Sequence, residues 1–525
     1  MLQGPDRRET AKIMGAVALA ASFTPSLLRR GRREQALVSA GAVVLGVGAG
    51  AITEVVVVRL AARLDSEAQA RLAIAGVGGL ATLAELPRSR SNLVAAGATA
   101  ARVAGIGALL GGLAPVRERR EPVDRIALAG GIGLVAAGAW AWKRTDPRRR
   151  RPRMRAYPPP GGRFLATVSG GQGSAIPRSD LDFEGTRFLG TAVPAADIAA
   201  LLGDPSPLAV QDPVRVFVGV RCAPTVAERA RLAVDELERL GGMERARVVV
   251  CSATLRGYVN PVPLDAEEVL SRGDVASVCV QYWDRPTLAM PFKVPVARDT
   301  HRALLEELRE RVAAREPDRR PEIVVYGESL GAWASQEVFK EGGTQALDAA
   351  GVSRALWAGT PFFSGLGRAM AKGRVPSDER VGIVSTRELL DADPAQARAL
   401  RFTFLDRRVD PVVLFSGLDL LWRRPDWLDE RLEDEGIAPG LRWIPGITFL
   451  QVVFDLLRAT RWTSDLPQAA AHDYRVELPL AVNVALGHHL DRAAARALAD
   501  RLIEREVARG ERLKALRRGL PDPGT

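Results

Sequence analysis

Cysteine, histidine and lysine are all scarce in this chain of 525 residues, and each scarcity excludes something. The three cysteines, Cys222, Cys251 and Cys279, have neither the knuckle spacing of a metal site nor a CxxC redox pair. Two of them lie in the strand-like apolar runs 248–251 and 277–280, so they read as buried small hydrophobes of a reducing compartment. No metal and no cofactor is expected. The four histidines are His301, His472, His488 and His489, and any chemistry that needs an imidazole must draw on them. Lysine occurs only at positions 12, 143, 293, 340, 372 and 514, so the net charge of +11 is carried by arginine. With so much alanine and glycine, that bias reflects GC-rich bacterial coding. Aromatics are 5% of the chain and no basic stripe interleaves with them, which speaks against nucleic acid as a partner. The densest basic cluster, residues 148–155, directly follows an apolar segment, the pattern of a membrane flank.

Apolar residues crowd the first 142 positions, in segments at about 12–28, 36–58, 72–86, 92–116 and 126–142. The segment 36–58 is long enough to cross a hydrocarbon core, with Glu54 its only charge. The last ends in Trp140-Ala141-Trp142-Lys143-Arg144, an aromatic anchor followed by cations. Arg33 and its neighbours follow the first segment, where a signal peptide would carry a small-residue cleavage site. Several runs in succession lack the charged face of soluble amphipathic helices. A helical transmembrane domain of about four to six spans is therefore expected over 1–145, a multi-pass arrangement in a bacterial plasma membrane. Arg102 falls in the fourth segment, whose span is read as starting near Val103. With five crossings, the side receiving Arg32, Arg88, Arg90 and the 143–155 run is the richer in arginine, which places the downstream domain in the cytoplasm.

Residues 146–162 are rich in arginine and proline and read as a linker. From 163 to 525, strand-like runs alternate with 10- to 15-residue helical patterns, the signature of a mostly parallel sheet covered on both faces. One of these runs, 322–326, leads into Gly327-Glu328-Ser329-Leu330-Gly331 and then a helical stretch. A GxSxG pattern in a chain with 50 glycines is weak alone. Placed between a β-branched strand and a helix, it has the context of a nucleophile elbow, with Leu330 N–H as an oxyanion donor. A serine hydroxyl needs a base and an acid, in the chain order Ser, Asp, His. His301 precedes the serine, and His488 and His489 lead into a helix as cap or surface residues. His472 remains as the base by elimination. For the acid, both Asp406 and Asp410 follow the strand-like run 401–405, and composition leaves the two open.

The chain resembles a bacterial, chiefly actinobacterial, family of membrane-anchored α/β-hydrolases with an N-terminal hydrophobic domain. The matching stretches include Ser22-Phe23-Thr24-Pro25-Ser26-Leu27-Leu28, Glu184-Gly185-Thr186-Arg187-Phe188, Gly273-Asp274-Val275-Ala276 and the pair Gln281-Tyr282. They continue with the serine pentapeptide, Asp410-Pro411-Val412, Pro425-Asp426-Trp427-Leu428 and His472-Asp473-Tyr474. The resemblance implies Ser329, Asp410 and His472 as a triad. It also implies that the loop 252–258, with Thr254 and Leu255, lies beside the oxyanion site. The chain departs from the family pattern at Ala471, Leu255-Arg256 and 283–286, which bears on the pocket and not on the nucleophile. The expected fold is thus an α-helical transmembrane bundle followed by an α/β-hydrolase domain. The expected activity is a serine esterase, lipase or thioesterase working on a small-molecule or lipid acyl substrate, with membrane lipids as partners. The alternatives are an acyltransferase with the same triad, or a non-catalytic binding module. Substrate and oligomeric state are not legible in the sequence.

Overall fold

The computed structural model describes residues 7–28, 30–64, 66–83, 92–112, 155–159, 162–203, 209–254, 256–284, 294–385, 388, 394–429, 440–459, 471–488 and 490–520. The fifth apolar segment, most of the linker, Leu255 and His489 lie outside them. The chain divides into two compact units: residues 1–151 with 414–459, and residues 152–413 with 460–525.

The first unit holds helices α1 (Arg7–Ala21), α2 (Arg32–Leu64), α3 (Glu67–Leu83) and α4 (Asn92–Gly112). Small residues bring α1 and α2 into close approach: a Cβ on Gly46 would stand 2.4 Å from the Met14 carbonyl oxygen. Glu54, in the middle of α2, is buried and accepts two bonds from Arg71 of α3 at 2.9 and 3.1 Å. Arg71 also pairs with Glu67 at 2.8 Å, and Thr10 of α1 donates to Glu54. The one charge of the apolar stretch 36–58 is therefore neutralised inside the unit, as a carboxylate away from water must be. Among the described residues one helix, Arg32–Leu64, is long and apolar enough to cross a membrane; Thr10–Ala21 and Ala98–Leu109 are shorter apolar helices. These residues support one candidate span and not the multi-pass arrangement expected, and the fifth apolar segment lies outside them. Arg102 lies within α4, its guanidinium 6.0 Å from the Trp443 ring centroid.

The second unit is a seven-stranded sheet. Its strands are β1 (Val214–Val218), β2 (Arg247–Ser252), β3 (Val275–Val280), β4 (Glu322–Glu328), β5 (Val352–Ala358), β6 (Val381–Val384) and β7 (Phe402–Leu405). They lie in the order β1-β3-β2-β4-β5-β7-β6, every pairing parallel. β1 and β3 are buried at every position, which is why they read as continuous Val-rich runs rather than alternating ones. Helices cover the sheet. One, α5 (Val226–Arg239), starts on a capping box in which Thr225 and Glu228 satisfy each other's backbone N–H groups. It stops at Gly241, whose φ of 75° ends the helix in the left-handed region.

Three features depart from the sequence reading. First, the hydrolase stretch 163–525 is not one piece, since Leu414–Ala459 groups with the N-terminal helices. Its helix α6 (Ile447–Ala459) turns Gln451 toward the Thr24 carbonyl (3.1 Å) and Asp455 toward the Leu28 N–H (3.2 Å), polar ties that composition does not reveal. Second, part of the linker is held: Tyr157 is fully buried, and Arg512 donates to the carbonyls of Pro158 and Pro159 at 2.8 and 3.2 Å. Third, Arg215 in β1 is completely buried, its charge taken up by Asp265 and Glu268.

Candidate active site

Ser329 stands between β4 and helix α7 (Leu330–Phe339), at the carboxyl end of the central strand. Its φ of 56° and ψ of −123° are a strained conformation for a residue with a Cβ. Packing enforces it. The Ser329 N–H donates to the Ala358 carbonyl of β5 at 2.9 Å, and a Cβ on Gly331 would stand 2.1 Å from the Ser252 carbonyl at the end of β2. The turn is thus wedged between the ends of two neighbouring strands, the arrangement that lifts a serine Oγ off a sheet edge. Leu330 opens α7, so its N–H is among those with no intrahelical acceptor.

β7 ends at Leu405, and the loop behind it carries both candidate acids. Asp410 is fully buried and accepts three bonds. The Val412 N–H reaches Oδ1 at 2.9 Å; His472 Nδ1 and the Tyr474 hydroxyl reach Oδ2 at 2.6 and 2.8 Å. Burial alone lowers the His472 pKa, but the charges of Asp410, Glu328 and Asp406 outweigh it, so the imidazole is held above its ordinary value. Its Nε2 is buried and makes no hydrogen bond.

Asp406 is placed differently. Its Oδ1 accepts the Thr360 N–H at 2.8 Å, and burial, helped by the Asp410 charge, pushes it up to about 7. Arg407, which the sequence sets beside it as an ion-pair partner, turns away to Glu477 (3.0 Å) and to the Ala471 carbonyl (3.0 Å). That second bond fixes the residue preceding His472. Arg408 pairs with Glu388.

The other expected positions divide. Thr254 is buried in the loop behind β2, and its N–H is already donated to the Tyr258 carbonyl at 2.8 Å; Leu255 lies outside the described residues. Since that N–H is taken, Thr254 has no backbone donor to offer an oxyanion. His488 bonds Glu267 at 2.7 Å and Arg247 at 3.2 Å, an ion cluster at the amino-terminal end of β2. His301 is buried, with burial pushing it down to about 3, which keeps it neutral. The three cysteines are free, and burial pushes Cys251 up to about 12. Among the described residues no cluster of His, Cys, Asp or Glu is arranged to hold a metal ion.

Three contributors escape sequence reasoning. Tyr474 donates to the same Asp410 oxygen that holds His472, and only the His-x-Tyr spacing hinted at it. Gly359, directly after β5, has φ 58°, and a Cβ there would stand 2.7 Å from both His472 Cε1 and Tyr474 Cε2. Glu328, beside the serine, accepts from Asn260 Nδ2 at 3.0 Å and from the Tyr326 hydroxyl at 3.2 Å, and burial raises its pKa.

A parallel sheet with a strained serine turn at the end of its central strand, and an Asp–His pair on the loops beside it, defines an α/β fold of the hydrolase class. The alpha/beta-hydrolase family model matches residues 214–496, more than half of the chain, and the protein belongs to that family. Neither a curated protein nor a solved structure gives a match.

Proposed function

We propose that the protein is a membrane-associated serine hydrolase that cleaves carboxylic esters or thioesters through an acyl-enzyme. Ser329 Oγ attacks the acyl carbon while its proton passes to His472 Nε2, giving a tetrahedral oxyanion beside the Leu330 N–H at the start of α7. Collapse breaks the bond to the leaving oxygen or sulfur, which takes the proton from His472. Water, deprotonated by the same nitrogen, then releases the acid and restores the serine. Asp410 keeps the proton of the neutral imidazole on Nδ1 and steadies the imidazolium.

The observation that carries this reading is the buried 2.6 Å contact between His472 Nδ1 and Asp410 Oδ2, with Nε2 left free to accept a proton. Association with a bilayer rests on α2 and on the exposed apolar side chains Leu45, Ile52, Val55 and Val56 along it. A lipid acyl substrate follows from that setting. The test is labelling of the full-length protein in detergent by a fluorophosphonate. Wild type becomes labelled and Ser329→Ala does not; labelling that survives the substitution refutes the assignment.

A further inference from the structure

The segment carrying His472 has two sets of partners. His472 and Tyr474 bond to Asp410, while Asp473 and Arg475 bond to each other and to Glu506. Arg475 holds both Asp473 oxygens, Nε at 2.9 Å and a terminal nitrogen at 2.6 Å, and its other terminal nitrogen reaches Glu506 at 3.4 Å. Glu506 lies on the C-terminal helix α8 (Arg492–Leu516). From there the chain of charges continues. Arg509 bonds Glu506 at 2.8 Å and Asp265 at 2.6 Å; Asp265 meets Arg215 at 3.2 Å, and Arg215 meets Glu268 at 2.5 Å. Glu268 ends it by accepting the Val193 N–H at 2.9 Å. The charges alternate in sign throughout, and every side chain is at most 9% exposed.

A buried ion chain is a poor device for stability, because removing charges from water costs about as much as their attraction returns, and apolar packing does the same task better. What such a chain does well is define geometry, since each fork and carboxylate admits few arrangements. This one begins at Asp473, next to His472 in the chain, and passes through Arg215 of β1, the edge strand of the sheet, before it ends at Glu268. On the opposite side, Arg407 grips the carbonyl of Ala471.

We propose that Asp473, Arg475 and Glu506 are positioning residues through which the C-terminal helix holds the His472 imidazole in register with Asp410. The proposal rests on the serine-hydrolase reading. Loosening the chain leaves the imidazole mobile against its carboxylate, so the imidazolium is less stabilised and its pKa falls. The groups facing that imidazole are Asp410, Asp406, Glu328 and the Tyr474 ring, none of them altered by changes at 475 or 506.

The experiment uses full-length protein in detergent, with p-nitrophenyl butyrate hydrolysis followed across pH and a fluorophosphonate labelling rate measured beside it. Glu506→Gln keeps the shape and removes one charge; it is expected to lower kcat about tenfold, to leave KM within about twofold, and to move the acid limb to lower pH. Arg475→Met is expected to lose more, with Arg475→Lys restoring part. Glu506→Gln decides the matter where Arg475→Met does not fold. A Glu506→Gln protein with wild-type kcat and an unmoved acid limb, alongside an inactive His472→Ala, overturns the positioning role alone. His472→Ala labelled at the wild-type rate overturns the triad itself.

Discussion

Replacing Asp410 by asparagine separates the two candidate acids and exploits a detail of their bonding. The Val412 N–H is held by Oδ1, whereas His472 and Tyr474 are both held by Oδ2. An asparagine that keeps its oxygen toward Val412 therefore turns its amide nitrogen toward His472 Nδ1. The Tyr474 hydroxyl can rotate to accept from that nitrogen. Nδ1 cannot donate to it and becomes an acceptor, so the imidazole proton moves to Nε2, the atom that must be bare to take the serine proton. The flipped amide restores the tautomer but leaves the buried Val412 N–H facing a second donor, at about 1–3 kcal/mol. The wrong tautomer with intact geometry lowers kcat by about 10³- to 10⁴-fold, or about 4–5.5 kcal/mol of transition-state stabilisation. Asp406→Asn keeps an oxygen for the Thr360 N–H and touches neither ring nitrogen, so its loss stays within about tenfold. Both variants are assayed by ester hydrolysis and fluorophosphonate labelling, with a melting curve to show the fold intact. A folded Asp410→Asn within tenfold of wild type, or an Asp406→Asn that loses more than it, refutes the reasoning.

The pH profile follows from the raised His472 pKa: the neutral base is lost as pH falls, so the acid limb of kcat/KM is expected above about 6.5, and a limb clearly below that value contradicts the Asp410 contact. For stability the same shift works in the opposite sense. The protonated imidazole contributes fully below its unfolded pKa, and that contribution fades as pH rises through the folded one, which denaturant titration at pH 6 and 8 measures. Gly359→Ala forces a Cβ against His472 and Tyr474 at a positive φ; a destabilisation of about 1–3 kcal/mol by calorimetry is expected, with activity falling more than stability explains.

The sheet was readable because parallel strands buried on both faces leave unbroken apolar runs, and the serine turn because its strand and helix neighbours are local. The choice between Asp406 and Asp410 was not, since the two are four residues apart on one loop and differ only in what the fold brings to them. The resemblance favoured Asp410, and the bonding around Oδ2 now supplies a physical reason to prefer it. Tyr474, Gly359 and the ion chain from Asp473 to Glu268 were illegible for the same cause: each depends on partners far away in sequence. The excursion 414–459 was hidden because its apolar positions look like those of any hydrolase helix, while Gln451 and Asp455, which tie it to residues 24–28, look like surface polars.

That excursion also bears on how the protein is made. Between Asp410 and His472 the chain leaves one compact unit, completes the other, and returns. The first 151 residues emerge from the ribosome long before the segment that finishes them, and Asp410 emerges before the histidine it pairs with. The chain therefore passes between the two units three times, and neither is a module that a single cut could free. Removing the N-terminal helices would strip α6 of its neighbours in the middle of the stretch between Asp410 and His472, so those helices are a part of the fold's assembly and not an appendage to it.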